Sequence, residues 1–151
     1  MRALIQRVRR GSVSIEGKEK AAIGPGMVIL LGVGQGDQQS DAEWLARKTA
    51  GLRIFADEEG KLNRSVLDSG GQALVISQFT LYADCSRGNR PSFGQAAPAE
   101  LANNLYQSYA SGLRQAGVPV ETGVFQTDML VNIENDGPVT IMLESPAKGA
   151  K

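Results

Sequence analysis

The sequence predicts one α+β domain with a mainly antiparallel sheet and two amphipathic helices. Three observations predict it. Short apolar runs between Gly- and Pro-rich turns fill the first third, two later stretches repeat apolar side chains at helical spacing, and three more strand-like runs close the chain. With 151 residues, 42% of them hydrophobic, the chain is long enough to bury a core without staples. No internal repeat or long linker divides it, so residues 1–145 read as one domain and residues 146–151 as a flexible tail.

In chain order, alternation over residues 3–8 predicts a strand. Residues 13–15 and 21–23 flank the turn Glu16-Gly17-Lys18 as a hairpin, and Gly24-Pro25-Gly26 turns the chain again. Residues 27–33, MVILLGV, are continuous and β-branched, as in a strand buried on both faces. Ser40 to Glu43 has capping-box spacing. Trp44, Leu45, Lys48 and Leu52 follow at helical intervals, giving a helix over 41–52 with the Lys48 stem laid along its stripe. Residues 54–69 carry the turn Asp57-Glu58-Glu59-Gly60 and no long apolar run. A second helix starts with Pro98 at its first position, buries Leu101, Leu105, Tyr109 and Leu113, and stops at Gly117 and Pro119. Residues 118–120, 129–133 and 139–143 read as strands.

One Cys and no His exclude an internal disulfide framework, a Cys/His zinc cluster and every triad built on imidazole. Catalysis in this chain has to use carboxylates, hydroxyls, Lys, Arg, backbone N–H groups, water or the substrate itself. Cys85, without an imidazole partner, reads as a free thiol of a reducing compartment. No apolar run approaches the roughly 20 residues that span a bilayer, and the N-terminus lacks a signal-peptide core, so the expectation is a cytoplasmic protein without a membrane.

Sixteen basic residues balance sixteen acidic ones, which leaves no global field for a long stretch of DNA or RNA. Two basic clusters remain: Arg2, Arg7, Arg9 and Arg10 at the N-terminus, and Arg87-Gly88-Asn89-Arg90-Pro91 in a loop. Both fit solvated surface charge, and both fit a few phosphate contacts at one end of an RNA.

Two segments stand out. In a strand continuing through Leu81, Leu74, Ile76, Gln78 and Thr80 would share one face, with Val75, Ser77, Phe79 and Leu81 on the other. Polar groups then gather at its C-terminal end, either satisfied by neighbouring backbone or lining a pocket. In Asn135-Asp136-Gly137-Pro138-Val139-Thr140, Gly137 admits a close neighbour and Pro138 removes an N–H. On residues alone this segment is a trans turn opening a strand.

Together, Ser77-Gln78-Phe79-Thr80-Leu81 and Asn135-Asp136-Gly137-Pro138-Val139-Thr140 resemble the SQFTL and NxGPVT segments of the D-aminoacyl-tRNA deacylase family. The opening Met1 to Val8, Leu30-Leu31-Gly32-Val33 and Gly88-Asn89-Arg90-Pro91-Ser92-Phe93 fit the same family in order and spacing, so the resemblance covers the whole chain. Relatives often carry Thr and more basic residues where this chain has 84–87, and an apolar residue at Glu134.

The resemblance implies a barrel-like sheet and a homodimeric hydrolase without cofactor or metal. Such an enzyme cuts the ester between a D-amino acid, or glycine, and the terminal adenosine of tRNA. It further implies that Gly137-Pro138 is a cis dipeptide inserted into the partner subunit's active site, excluding L side chains, with Arg7 fixing its orientation. Met129 would fall near the substrate pocket. Ser77, Gln78, Phe79 and Thr80 would form the catalytic side, with the Phe79 and Thr80 N–H groups as an oxyanion hole and Gln78 as an orienting group. Two nucleophiles stay open: the Thr80 hydroxyl of the family's older reading and, ranked above it because no general base stands beside that hydroxyl, RNA-assisted attack by water. Arg87 and Arg90 would contact the tRNA. On residues alone, Arg7 also reads as an edge residue and Met129 as a core methionine. The alternative function is a non-catalytic module of the same fold that binds an RNA end; a relative specialised for mischarged glycyl-tRNA is a third reading.

Overall fold

The computed structural model describes residues 1–148; the last part of the expected tail, 149–151, lies outside the described residues. Its organising element is β1 (Arg2–Ile15), one strand where alternation marks two short ones. Along one edge it pairs antiparallel with β8 (Leu130–Glu144). On its other edge, the first half pairs with β3 (Gly26–Gly32) and the second half with β2 (Lys18–Ile23), both antiparallel. Beyond β3 lie β6 (Gln72–Ser77) and β7 (Val120–Thr122), both joined in parallel. The result is a single domain with a barrel-like mixed sheet, covered by α1 (Gln39–Ala50) and α2 (Ala99–Gln115). A small hairpin, β4 (Phe55–Ala56) and β5 (Leu62–Arg64), forms around the 57–60 turn.

The double burial expected for β3 follows from its position. Met27, Ile29 and Leu31 face the helices and pack with Leu45, Leu105, Tyr109 and Leu113. Val28 points the other way, into a second cluster with Val8, Val13, Ile23, Leu74 and Ile76. Neighbouring β6 is split in the same way, Ala73 and Val75 toward the helices, Leu74 and Ile76 into the barrel. Burying a Leu- or Ile-sized side chain contributes about 1.5–3 kcal/mol, so these two strands form the stable bed on which the chain's polar ends rest.

Both helices start off the sequence estimate. Helix α1 is capped at Gln38, whose N–H donates to the Asp41 carboxylate at 2.7 Å, so Asp41 rather than Glu43 completes the box. Its buried stripe is Ala42, Leu45, Ala46 and Thr49; Lys48 is exposed. The Thr49 hydroxyl donates to the Leu45 carbonyl and meets the Tyr109 hydroxyl at 2.8 Å, satisfying both in the core. Pro98 is the N-cap of α2, one residue outside the predicted position.

Candidate active site

Strand β6 stops at Ser77 instead of running on through Leu81. The Gln78 N–H makes the last ladder bond, to the Leu31 carbonyl at 2.8 Å, and Phe79–Tyr82 then coil into a 3₁₀ turn. Inside that turn the Leu81 N–H donates to the Gln78 carbonyl at 3.3 Å, and the Ala83 N–H to Thr80 at 3.1 Å. The first donors of such a turn have no partner within it. Accordingly, no acceptor among the described residues takes the N–H of Phe79 or Thr80. The Gln78 side-chain amide donates to the Thr80 hydroxyl, so the two side chains that alternation placed on one face do meet, through a turn.

A cavity of about 530 Å³ opens beside this turn. Ile76, Ser77, Gln78 and Phe79 form one wall, the alanines at the entry to α2 another, and the 125–129 loop with Val131 a third. The Tyr106 ring of α2 stacks on Phe125 with centroids 6.2 Å apart, while its hydroxyl donates to the Val75 carbonyl at 3.1 Å. That buried hydroxyl has its pKa pushed up, first by loss of water, which keeps it a neutral donor. Met129 faces the cavity with its Sδ accepting the Val124 N–H at 3.4 Å. A Cβ on Gly123 would stand 2.8 Å from that sulfur, so the glycine makes room for Met129.

Arg7, Gly137 and Pro138 lie elsewhere in the chain and do not line the cavity. Between the pairs Gln6 with Thr140 and Val8 with Asn135, β8 bulges away from β1, opposite Arg7 alone. The bulge carries the Gly137-Pro138 peptide, which is cis, and both residues are exposed. Arg7 fixes it from beneath: Nε donates to the Asp136 carbonyl at 3.1 Å and Nη1 to the Ile54 carbonyl at 3.0 Å. The Asp136 carboxylate sits between the guanidinium groups of Arg7 and Arg9, at 3.7 and 3.5 Å. Across the neck, the Asn135 amide donates to the carbonyls of Arg7 and Val139, both at 3.1 Å, and the Thr140 hydroxyl donates back to Asn135 at 3.3 Å. Asn135, which reads in the sequence as an ordinary turn residue, is therefore the clasp of the loop. Its only sequence signal was its fixed place in the motif.

Arg87 and Arg90 are exposed on the 85–91 loop, as is Cys85, a free thiol. At the loop's base Asp84 accepts from the N–H and hydroxyl of Ser86, which hold its carboxyl below the usual range. Among the described residues, no three His, Cys, Asp or Glu side chains gather as a metal site, and no helix is long and apolar enough to cross a membrane. The cavity wall formed by Phe125 and Thr127 was not anticipated, because that loop carries neither periodicity nor a motif.

A family model described as D-Tyr-tRNA(Tyr) deacylase matches residues 4–144. The chain belongs to that family. Family membership makes it a hydrolase of the D-Tyr-tRNA(Tyr) deacylase class. It is 60% identical to a D-aminoacyl-tRNA deacylase of Heliobacterium modesticaldum, across 95% of this chain and 96% of the relative. A D-aminoacyl-tRNA deacylase of Chlorobaculum tepidum is 55% identical across 98% and 99%. Among solved structures, one described as a c-Myc DNA unwinding element binding protein superposes with TM-score 0.92 at 45% identity, covering 97% of this chain and all of that one. A probable eukaryotic D-amino acid tRNA deacylase superposes with TM-score 0.80 at 16% identity, over 95% of this chain and 98% of that one, which establishes the shared fold.

Proposed function

We propose that this protein edits aminoacyl-tRNA, hydrolysing the ester that joins a D-amino acid, or glycine, to the terminal adenosine. The observation that carries the reading is the pair of unpartnered N–H groups of Phe79, in the cavity wall, and of Thr80, next to it in the turn though outside the cavity lining, in a chain without histidine. Donors with no acceptor of their own are available to a developing oxyanion, and one such donor is worth roughly 10²–10³ in rate. Water attacks the ester carbon and the negative charge collects on the carbonyl oxygen beside these two N–H groups. As the tetrahedral intermediate collapses, the 3′ oxygen leaves and takes the proton that water lost, relayed through the neighbouring ribose 2′-hydroxyl. Free amino acid and tRNA result. Gln78, held by the Thr80 hydroxyl, orients the substrate; Ser77 and Met129 shape the cavity.

The Gly137-Pro138 loop supplies the chiral filter. It is exposed and separate from the cavity of its own chain, an arrangement that suits insertion into the cavity of a second copy. There its backbone would occupy the space of an L side chain and leave room for a D one or for glycine, which is selection by exclusion. Arg87 and Arg90 contact the tRNA, and the domain works over residues 1–145 as a cytoplasmic homodimer.

The test is deacylation of D-tyrosyl-, glycyl- and L-tyrosyl-tRNA by the purified protein. Turnover of the first two with sparing of the third is the expected result. Absence of acceleration over buffer on all three would leave an RNA-end binding module.

A further inference from the structure

Two large aromatic rings stand exposed, one in the cavity wall and the other packed against it from outside. Phe79 is 55% and Phe93 38% accessible, and their rings meet edge to face with centroids 5.0 Å apart. They are half of the chain's four phenylalanines, spent where burial gains nothing in the single chain. The pair is held rigidly. Asp84 and Ser92 exchange two backbone hydrogen bonds of 2.7 and 2.9 Å, and just beyond Phe93 the Gln35 side chain and backbone bind Gly94 and Gln95 at 2.6 and 2.9 Å. The loop closed by Asp84 and Ser92 carries Arg87 and Arg90, exposed and without an ion pair among the described residues.

Resting on the editing function proposed above, we infer that Phe79 and Phe93 form a stacking ledge for the nucleotide that precedes the terminal adenosine, with Arg87 and Arg90 taking its flanking phosphates. With the terminal adenosine in the cavity, a strand leaving on the side of Phe79 meets the ledge at once, since Phe79 belongs to both cavity wall and ledge. Exposed aromatic faces beside mobile cations are the means by which single-stranded nucleic acid is held without reading its sequence. An edge-to-face pair leaves ring faces open to a third ring. The unpaired arginines supply the charge complementarity that favours a nucleic acid strand over a second protein surface.

The probe is an uncharged RNA hairpin with a single-stranded 3′ end bearing 2-aminopurine at the penultimate position. Stacking should quench its fluorescence on binding, and Phe93→Leu should abolish the quenching and weaken binding about tenfold. Phe93→Tyr should restore both. Arg87→Gln with Arg90→Gln should weaken binding and flatten its salt dependence. Unchanged quenching in Phe93→Leu overturns the ledge, and so does conversion of that variant to monomer in sedimentation, which would assign the rings to a contact between copies. Hydrolysis of D-tyrosyl-tRNA by the wild-type protein reads the parent proposal separately: quenching without hydrolysis leaves the ledge standing and removes the editing reaction.

Discussion

Arg7 donates through Nε to the carbonyl of Asp136 at 3.1 Å while its Nη1 reaches the carbonyl of Ile54 at 3.0 Å. One guanidinium thus ties the Gly137-Pro138 bulge to the segment that precedes β4. Lysine has a single ammonium group and lacks the planar fork that serves two carbonyls lying in different directions. Arg7→Lys should keep the fold, cost about 1–2 kcal/mol in urea unfolding, and loosen the loop. The expected kinetic result is a roughly tenfold lower kcat/KM on D-tyrosyl-tRNA together with faster cleavage of L-tyrosyl-tRNA. Full activity and full discrimination in the variant would separate Arg7 from the filter.

Gly137 has φ +124°, and a Cβ there would stand 2.9 Å from Val139 Cγ2 and 3.0 Å from Arg7 Nη2. Gly137→Ala therefore meets both a backbone conformation that L side chains rarely adopt and a crowded loop. The expected cost is about 1–3 kcal/mol, and relief of the crowding displaces the exposed tip. Stability measured by denaturation and the D/L ratio of deacylation rates should fall together. A variant with unaltered ratio would show that the tip does not face substrate.

The period-two alternation of β3 and β6 is a local pattern, and it was legible: each strand divides its side chains between two apolar clusters. Their parallel pairing was not legible, because it joins segments more than forty residues apart through a connection that includes α1. Helix boundaries slipped for a different reason. Asp41 is three residues from Gln38 just as Glu43 is from Ser40, and spacing alone cannot choose between the frames; burial of Ala42, Leu45, Ala46 and Thr49 chooses. Near the cavity, the polarity of Gln78 and Thr80 on an apolar strand marked the segment without deciding its role; the structure puts Gln78 in the cavity wall and joins its amide to the Thr80 hydroxyl. Asn135 gave no such sign, since its importance lies in two carbonyls brought near by the bulge. The 3₁₀ turn was equally hidden: Phe79 and Thr80 are good strand formers, and only the ladder's end at Leu31 releases them into a turn.

All three tyrosines of the chain are shifted in one direction. Loss of water is the leading cause for each, pushing Tyr82 up to about 12 and Tyr106 and Tyr109 above their ordinary value of 10. In the unfolded chain these phenols ionise near pH 10. Their contribution to stability is therefore constant below pH 10 and lost as pH rises from there through the folded values. Spectrophotometric titration should show the tyrosinate step of the folded protein displaced above pH 10, with further tyrosinate appearing as it unfolds. Tyr109→Phe should cost only about 1 kcal/mol at neutral pH, since the Thr49 hydroxyl keeps its bond to Leu45. A normal step in the native protein would mean that these rings are open to water.

The contact between the Gln78 amide and the Thr80 hydroxyl separates two roles that a single substitution confuses. If the hydroxyl were the nucleophile, Thr80→Ala would abolish turnover and Gln78→Ala would not reproduce the effect. If the backbone N–H of Thr80 does the work, Thr80→Ala keeps that donor and loses only the anchor of Gln78. The expected result is then a loss of about tenfold in kcat/KM for Thr80→Ala, a loss at least as large for Gln78→Ala, and for the double variant a loss no larger than for Gln78→Ala alone, because the hydroxyl acts only through Gln78. Gln78→Glu should be worse than Gln78→Ala, since it places negative charge beside the forming oxyanion. Complete loss of turnover in Thr80→Ala, with tRNA binding intact, would return the hydroxyl to the reaction and remove the backbone mechanism.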